Sequence, residues 1–131
     1  MVTILIADDS ADNRDILSEV LGEEGYDIIV SANASDTLDI AVAQSPDLIL
    51  MDLQMPDGPG STGLNDEAGL EATRALKTNP VTTGIPIVAL SGYDAGSTSR
   101  AIASAGCNAT ATKPYDFAVL LDLISQFVET P

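Results

Sequence analysis

The feature that most constrains the fold of this chain is an alternation of short apolar runs with amphipathic stretches. Five runs are predicted to be strands: Val2–Ala7, Asp27–Val30, Asp47–Met51, Pro86–Leu90 and Ala109–Thr112. The first, third and fourth are nearly continuous in Ile, Leu and Val, which is typical of strands buried on both faces, whereas the fifth is small and polar. The stretches between them carry apolar residues at helical spacing. This order predicts repeated βα units around one parallel sheet.

Helices are expected between the strands and after the last one. Their predicted ranges are about Ala11 to Gly22, Ala34 to Gln44, Glu67 to Lys77, Ser97 to Ala105, and a final helix that begins near Phe117. Gly or Pro residues follow the first four ranges closely and are typical helix stops. The length of 131 residues suits a single core, so we expect one domain over residues 1–131, without a linker or an internal repeat.

The composition excludes several classes of function. Five basic and twenty acidic side chains give a net charge of −15, which disfavours binding to nucleic acid or to an anionic membrane. The chain has no His and a single cysteine, Cys107, so the usual zinc sites and His-dependent catalytic triads are excluded. A lone cysteine and the lack of a signal peptide predict a reducing, cytoplasmic location. Any chemistry must therefore use carboxylates, hydroxyls and a few lysines.

Reactive side chains stand at the ends of four predicted strands. Asp8 and Asp9 follow the first strand, Asp52 the third, Ser91 the fourth and Lys113 the fifth. Ligands of open parallel sheets bind beyond these carboxyl ends, so the five side chains should converge. Clustered carboxylates repel one another, and a hard divalent cation such as Mg²⁺ relieves that repulsion. A metal, a lysine and a hydroxyl beside an aspartate predict phosphoryl transfer to that aspartate.

Each of these features taken alone has a simpler interpretation as local structure. The simpler interpretations are a strand end with a helix cap at Asp8-Asp9-Ser10, a turn at Asp52, a turn at Ser91-Gly92, and a surface lysine before a turn at Lys113-Pro114. Their joint occurrence at the ends of the correct strands favours a common site.

Five sequence blocks resemble, in order and spacing, the receiver domains of two-component response regulators, both stand-alone receivers and those of hybrid sensor kinases. The blocks are IADDSADNR, LILMDLQMP, GLEATRALK, IPIVALSG and TKPYD, and together they span essentially the whole chain. The resemblance implies a flavodoxin-like, doubly wound (βα)5 fold with a five-stranded parallel sheet of strand order 2-1-3-4-5.

The resemblance also implies a role for each candidate residue. The implied site consists of the phosphoacceptor Asp52, the metal ligands Asp8, Asp9, Asp52 and the backbone carbonyl of Gln54, and the phosphoryl contacts Ser91 and Lys113. The implied cofactor is Mg²⁺, with Mn²⁺ as an alternative ion. The Lys113-Pro114 bond would be cis, as in the family.

The function implied by the resemblance is that of a phosphoacceptor in a two-component phosphorelay. The phosphoryl donor would be a histidine kinase or a histidine phosphotransfer protein, and an unknown downstream protein would receive the signal. Such a domain catalyses only its own phosphorylation and dephosphorylation. Two alternatives stay open: a degenerate receiver that docks without phosphorylation, and a metal-dependent phosphatase or flavodoxin-like nucleotide binder. The acidic sequence DDSAD after the first strand argues against a flavin phosphate loop.

The chain departs from the family pattern at two places. Thr110 stands three residues before Lys113, where receivers usually carry Tyr or Phe. Tyr93 and Tyr115 are candidates to replace that ring, or else packed surface aromatics. Residues Asp57–Ala68 form an insertion in the loop after the third strand. This insertion restricts access to the site, shapes a docking surface, or is tolerated decoration.

Overall fold

The computed structural model describes residues 2–60, 63, 67–91, 99–113 and 116–129. The strands are β1 (Thr3–Ala7), β2 (Asp27–Ser31), β3 (Leu48–Asp52), β4 (Ile87–Ser91) and β5 (Ala109–Thr112). The helices are α1 (Ala11–Glu23), α2 (Ala34–Gln44), α3 (Ala68–Thr78), α4 (Ser99–Ala105) and α5 (Phe117–Ser125). None of the helices among the described residues is long and apolar enough to cross a membrane.

The five strands form one parallel sheet in the order β2-β1-β3-β4-β5, which confirms the predicted fold. Every residue of β3 and β4 is buried, as their continuous apolar runs predict. The chain passes from β1 to β2 on one side and then crosses to β3 on the other. This switch point lies between β1 and β3, where ligands of doubly wound folds bind.

Helices cover both faces of the sheet. On one face, alternate strand residues such as Ile4, Leu50 and Leu90 pack with Leu17 of α1 and Leu120 of α5. On the other face, the intervening strand residues pack with α2 and α3. A third cluster joins the segment just after β3 to α3, β4 and α4; it consists of Leu53, Leu70, Ala89, Ile102 and Ala105. The two faces follow from the two-residue period of each strand.

The predicted boundaries need small corrections. The helix over Ala34–Gln44, the strand over Ala109–Thr112 and the start of the last helix at Phe117 are as predicted. Other elements shift, shorten or lengthen by one residue. Asp52 and Ser91 are the last residues of β3 and β4, rather than the first residues after them, because each continues its strand's ladder, Asp52 with Leu90 and Ser91 with Thr112. The predicted start of the fourth helix at Ser97 lies outside the described residues.

Candidate functional site

The sheet register brings the carboxyl ends of β1 and β3 together. Ala7 pairs with Met51, so the next residues along the two strands, Asp8 and Asp52, are neighbours at the same edge. The Asp8 backbone N–H donates to the carbonyl of Ser31 at 3.0 Å, which extends the β1–β2 ladder by one residue. This bond ties the Asp8 backbone to the end of β2.

Three acidic side chains meet at this edge. One carboxylate oxygen from each of Asp8, Asp9 and Asp52 lies within 4.8 Å of the others. Asp8 is fully buried and Asp52 is 6% exposed, whereas Asp9 is exposed to solvent. Buried carboxylates this close repel one another unless a cation accompanies them.

Lys113 supplies positive charge to the cluster from the end of β5. Its ammonium Nζ lies 3.1 Å from Oδ2 of Asp52 and 3.7 Å from Oδ2 of Asp8. The Lys113 backbone N–H donates to the carbonyl of Ser91 at 2.7 Å, which ties the lysine to the end of β4. Ser91 itself is buried at that strand end. The end of β5 thus places a cation beside the acids, and a backbone bond joins it to the hydroxyl residue that ends β4.

The Asp52 carboxylate has a partner on each oxygen. Its Oδ1 accepts from the backbone N–H of Gln54 at 3.2 Å, and its Oδ2 accepts from Lys113 at 3.1 Å. Burial raises the pKa of Asp52 from about 3.8 to about 6; the charge of Lys113 opposes this rise and the charge of Asp8 adds to it. Asp52 is consequently ionised for the most part at neutral pH, as a nucleophile must be.

Two residues of α1 support Asp8 that sequence reasoning did not single out. The Asn13 amide donates to Asp8 Oδ2 at 3.4 Å, and the Arg14 guanidinium donates to the Asp8 carbonyl at 2.7 Å. The signal in the sequence is their place one turn into the helix that follows Asp8 and Asp9. The Ser10 side chain accepts from the Asn13 N–H at 3.3 Å, so the helix-cap interpretation of Ser10 is right and accompanies the acidic cluster.

The structure thus brings together most of the residues that the sequence singled out. Asp8, Asp9, Asp52 and Lys113 share one site, and Ser91 joins it through the backbone of Lys113. Thr110 lies on β5 and is exposed. Because this residue is a threonine, the position carries no aromatic ring. Tyr93, Pro114 and Tyr115 lie outside the described residues.

The donor set fits a hard divalent cation. Three carboxylates with Lys113 carry a formal charge of −2, which a divalent ion would balance. All three offer oxygen atoms, and the exposure of Asp9 leaves room for bound water, which Mg²⁺ retains. Thiolate and imidazole ligands, which zinc prefers, are absent from this cluster.

Both ends of the predicted insertion, residues 57–68, are held by backbone hydrogen bonds. At its start, the carbonyls of Pro56 and Asp57 accept from the backbone N–H groups of Ala34 and Ser35 at the beginning of α2, at 3.0 and 2.9 Å. At its end, the Gly69 N–H donates to the carbonyl of Leu53 at 3.1 Å. These backbone contacts secure the chain on either side of residues 61–66.

Comparisons with known proteins agree with this geometry. The model of the response regulator receiver domain family matches residues 4–125. The polar-differentiation response regulator DivK of Brucella anthropi is 28% identical over 126 residues, which cover 96% of this chain and 95% of DivK.

Solved structures of response regulator proteins are also similar to this chain. The receiver domain of sensor histidine kinase PA1611 from Pseudomonas aeruginosa, which holds a magnesium ion in its active site cleft, is 25% identical with a TM-score of 0.81 and 96% of each chain covered. Chemotaxis response regulator CheY4 of Vibrio cholerae, 23% identical with a TM-score of 0.82, shares the fold over 98% of this chain and 99% of its own. The chain, from its strand order to its acidic edge, belongs to the response regulator receiver domain family.

Proposed function

We propose that this receiver domain accepts a phosphoryl group on Asp52 from a phosphohistidine and thereby changes its affinity for a partner protein. The observation that carries the proposal is the environment of Asp52: a buried carboxylate at the end of β3, with an ammonium at 3.1 Å and two further acids within 4.8 Å. A carboxylate placed only as a turn former or a surface charge does not need such neighbours.

The chain's own groups can orient and activate the transfer. An oxygen of the Asp52 carboxylate forms a bond to phosphorus as the phosphorus–nitrogen bond of the donor breaks, and the imidazole leaves with the bonding electron pair. The Gln54 N–H fixes the rotation of the carboxylate, so that the attacking oxygen is held in place. Lys113 pairs with Asp52 before transfer and can then pair with a phosphoryl oxygen. Ser91, buried at the end of β4, would contact another phosphoryl oxygen.

Mg²⁺ is the proposed cofactor, with Mn²⁺ as an alternative, and Asp8, Asp9, Asp52 and the carbonyl of Gln54 are the residues that would hold it. A bound divalent ion supplies charge neutralisation to the transferring phosphoryl group. Asn13 and Arg14 bond Asp8 from α1, so the placement of this ligand is supported by the protein itself.

The partners follow from the same chemistry. The donor is a histidine kinase or a histidine phosphotransfer protein, and the output is a protein contact in the cytoplasm. The net charge of −15 disfavours nucleic acid and anionic membranes as ligands. The whole chain acts as one receiver domain, and its only catalysis is its own phosphorylation and dephosphorylation.

The test is labelling with acetyl phosphate and Mg²⁺, followed by intact-protein mass spectrometry. We expect the wild type to gain one phosphoryl group and the Asp52→Asn variant to gain none. Asp27→Asn is the matched control, because Asp27 is an exposed aspartate at the amino end of β2, on the opposite edge of the sheet. An unlabelled wild type would refute the proposal, and full labelling of Asp52→Asn would refute the assigned residue.

The exposed Thr110 favours one other function, a receiver that docks without phosphorylation. A threonine cannot carry the signal by turning an aromatic ring inward. The labelling experiment separates the two functions, since a receiver that docks without phosphorylation would gain no mass on treatment with acetyl phosphate.

A further inference from the structure

Gly69 lies against the backbone that carries the phosphoacceptor. It is the second residue of α3 and is buried, as are Ala68 and Leu70 on either side of it. A Cβ atom added to Gly69 would lie 2.3 Å from the Asp52 carbonyl oxygen, 2.6 Å from the Leu53 Cα and 3.0 Å from the Asp52 carbonyl carbon. These are backbone atoms, which cannot rotate away as a flexible side chain can.

The same contact is held by hydrogen bonds and packing. The Gly69 N–H donates to the Leu53 carbonyl at 3.1 Å, and the Leu53 N–H donates to the Leu90 carbonyl at 3.3 Å. The Leu53 side chain, 1% exposed, packs in a cluster with Leu70 of α3. The end of β3 is therefore fixed between β4 on one side and the first turn of α3 on the other.

Any displacement of this backbone would reach the site directly. The Asp52 carboxylate lies 3.1 Å from Lys113 Nζ, and one of its oxygens lies within 4.8 Å of an oxygen of each of the other two acids. The backbone N–H of Gln54, two residues further on, donates to Asp52 Oδ1. Ordinary contacts between heavy atoms need about 3.5 Å, so a methyl group at residue 69 would push the strand end and α3 apart by about 1 Å. A shift of that size separates reactive groups enough to lower a rate about a hundredfold.

We propose that Gly69 is a positioning residue for Asp52: its missing side chain lets α3 support the peptide of the phosphoacceptor and set its place relative to Asp8 and Lys113. The inference rests on the proposed phosphoryl transfer for its functional meaning. It also explains why the insertion before α3 is compatible with an intact site, since the support lies at the first turn of the helix rather than in the loop.

The test compares Gly69→Ala with Gly22→Ala. Gly22 is the matched control because it lies in α1 and a Cβ atom added there would meet no other part of the protein within 4 Å, so alanine adds helix propensity without a clash. Each protein is measured for its free energy of unfolding in urea, its Mg²⁺ dissociation constant by calorimetry, and its rate of labelling by acetyl phosphate.

We expect Gly69→Ala to weaken Mg²⁺ binding and to slow labelling by about ten- to a hundredfold, while Gly22→Ala behaves as the wild type. A role in stability alone would lower the free energy of unfolding and leave the Mg²⁺ dissociation constant of the folded protein unchanged, and that result would overturn the proposal. If the wild type binds Mg²⁺ but takes no phosphate, the proposed function fails, whereas the Mg²⁺ comparison still decides the role of Gly69.

If Gly69→Ala does not fold, a second variant, Thr73→Val, tests the proposal. The Thr73 hydroxyl is buried, donates to the Gly69 carbonyl at 2.8 Å and accepts from the Cys107 thiol at 3.8 Å, so Thr73→Val removes a hydrogen bond from the first turn of α3 at nearly constant volume. We expect its Mg²⁺ dissociation constant to rise about two- to fivefold. An unchanged constant in the folded Thr73→Val protein would overturn the proposal.

Discussion

The carboxylate of Asp52 opposes folding in the metal-free protein. Burial raises its pKa to about 6, so above that pH the folded protein must ionise a group that water would solvate better. The unfolded chain loses the proton near pH 3.8. Between these values the folded state binds more protons than the unfolded state, so this group lowers the free energy of unfolding as the pH rises from 3.8 to about 6.

Asp52→Asn should therefore stabilise the metal-free protein at neutral and alkaline pH. The pKa shift already includes the attraction of Lys113 and corresponds to about 3 kcal/mol, so we expect a gain of about that size near pH 8. At about pH 3 and below the aspartate is largely protonated in both states, so the gain should vanish. Urea unfolding at the two pH values measures this difference. A variant no more stable than the wild type near pH 8 would contradict the assigned electrostatics.

Lys113→Met should raise the pKa of Asp52 further. The ammonium at 3.1 Å is the main influence that lowers this pKa against the effect of burial, and methionine keeps the apolar stem while removing the charge. The pKa is measured by ¹³C NMR titration of the Asp52 carboxyl without metal. Lys77→Met is the control: Lys77 contacts the carbonyl of Ile85 and the side chain of Asn108, beside the amino end of β4. An unchanged Asp52 pKa in Lys113→Met would contradict the ion pair.

Residue-scale prediction succeeds where a side chain follows a recognisable strand. Asp8, Asp52 and Lys113 were predictable because apolar runs mark the strands and parallel strands end at a common edge. The contact of Gly69 with the Asp52 backbone was not predictable, because it depends on how α3 packs against the end of β3. A glycine inside a predicted helix, where alanine would be favoured, is nevertheless a signal of close backbone approach.

At the scale of elements, the two ends of the predicted insertion are anchored by backbone hydrogen bonds. The start is bonded to α2 through Pro56 and Asp57, and the end is bonded to Leu53 through Gly69. Neither anchor involves a side chain of residues 61–66. Backbone bonds of this kind do not depend on the sequence between them.

Replacing residues 61–66 with a Gly-Ser stretch of equal length should leave Mg²⁺ affinity and labelling by acetyl phosphate within about twofold of the wild type, because both backbone anchors lie outside the replaced residues. The measurement is calorimetry together with intact mass against time. Labelling more than tenfold faster than the wild type would instead show that the native insertion restricts access to Asp52. Unchanged small-donor labelling with slower transfer from a phosphohistidine protein would place the insertion on the docking surface.

Boundaries of elements were predictable to within a few residues, and the errors at the strand ends have a common cause. Asp52 and Ser91 are polar, so an apolar run appears to end before them, yet the sheet ladder includes both. Pro86, by contrast, precedes β4 although it adjoins the apolar run. Pairing between strands, rather than hydrophobicity, decides where a strand ends.

At the scale of the whole molecule, the charge of −15 means that any cation stabilises the fold to some extent by screening. A specific site adds a second contribution, because a ligand that binds only the folded state raises the free energy of unfolding by about 2.7 kcal/mol at a hundred times its dissociation constant. NaCl at matched ionic strength separates the two contributions.

Mg²⁺ should accordingly raise the midpoint of thermal unfolding well beyond NaCl at the same ionic strength, and the excess should depend on pH. Protons compete with the ion for Asp52, so the excess is full near pH 8 and falls as the pH drops through about 6. Asp9→Asn should remove most of the excess, because it deletes one of the three clustered carboxylates, whereas Asp27→Asn at the opposite edge should retain it. Calorimetric scans of the wild type, Asp9→Asn and Asp27→Asn at pH values above and below about 6 measure this excess. Equal midpoints in Mg²⁺ and matched NaCl would mean that the acidic edge acts only as surface charge, and the divalent site inferred from Asp8, Asp9 and Asp52 would have to be abandoned.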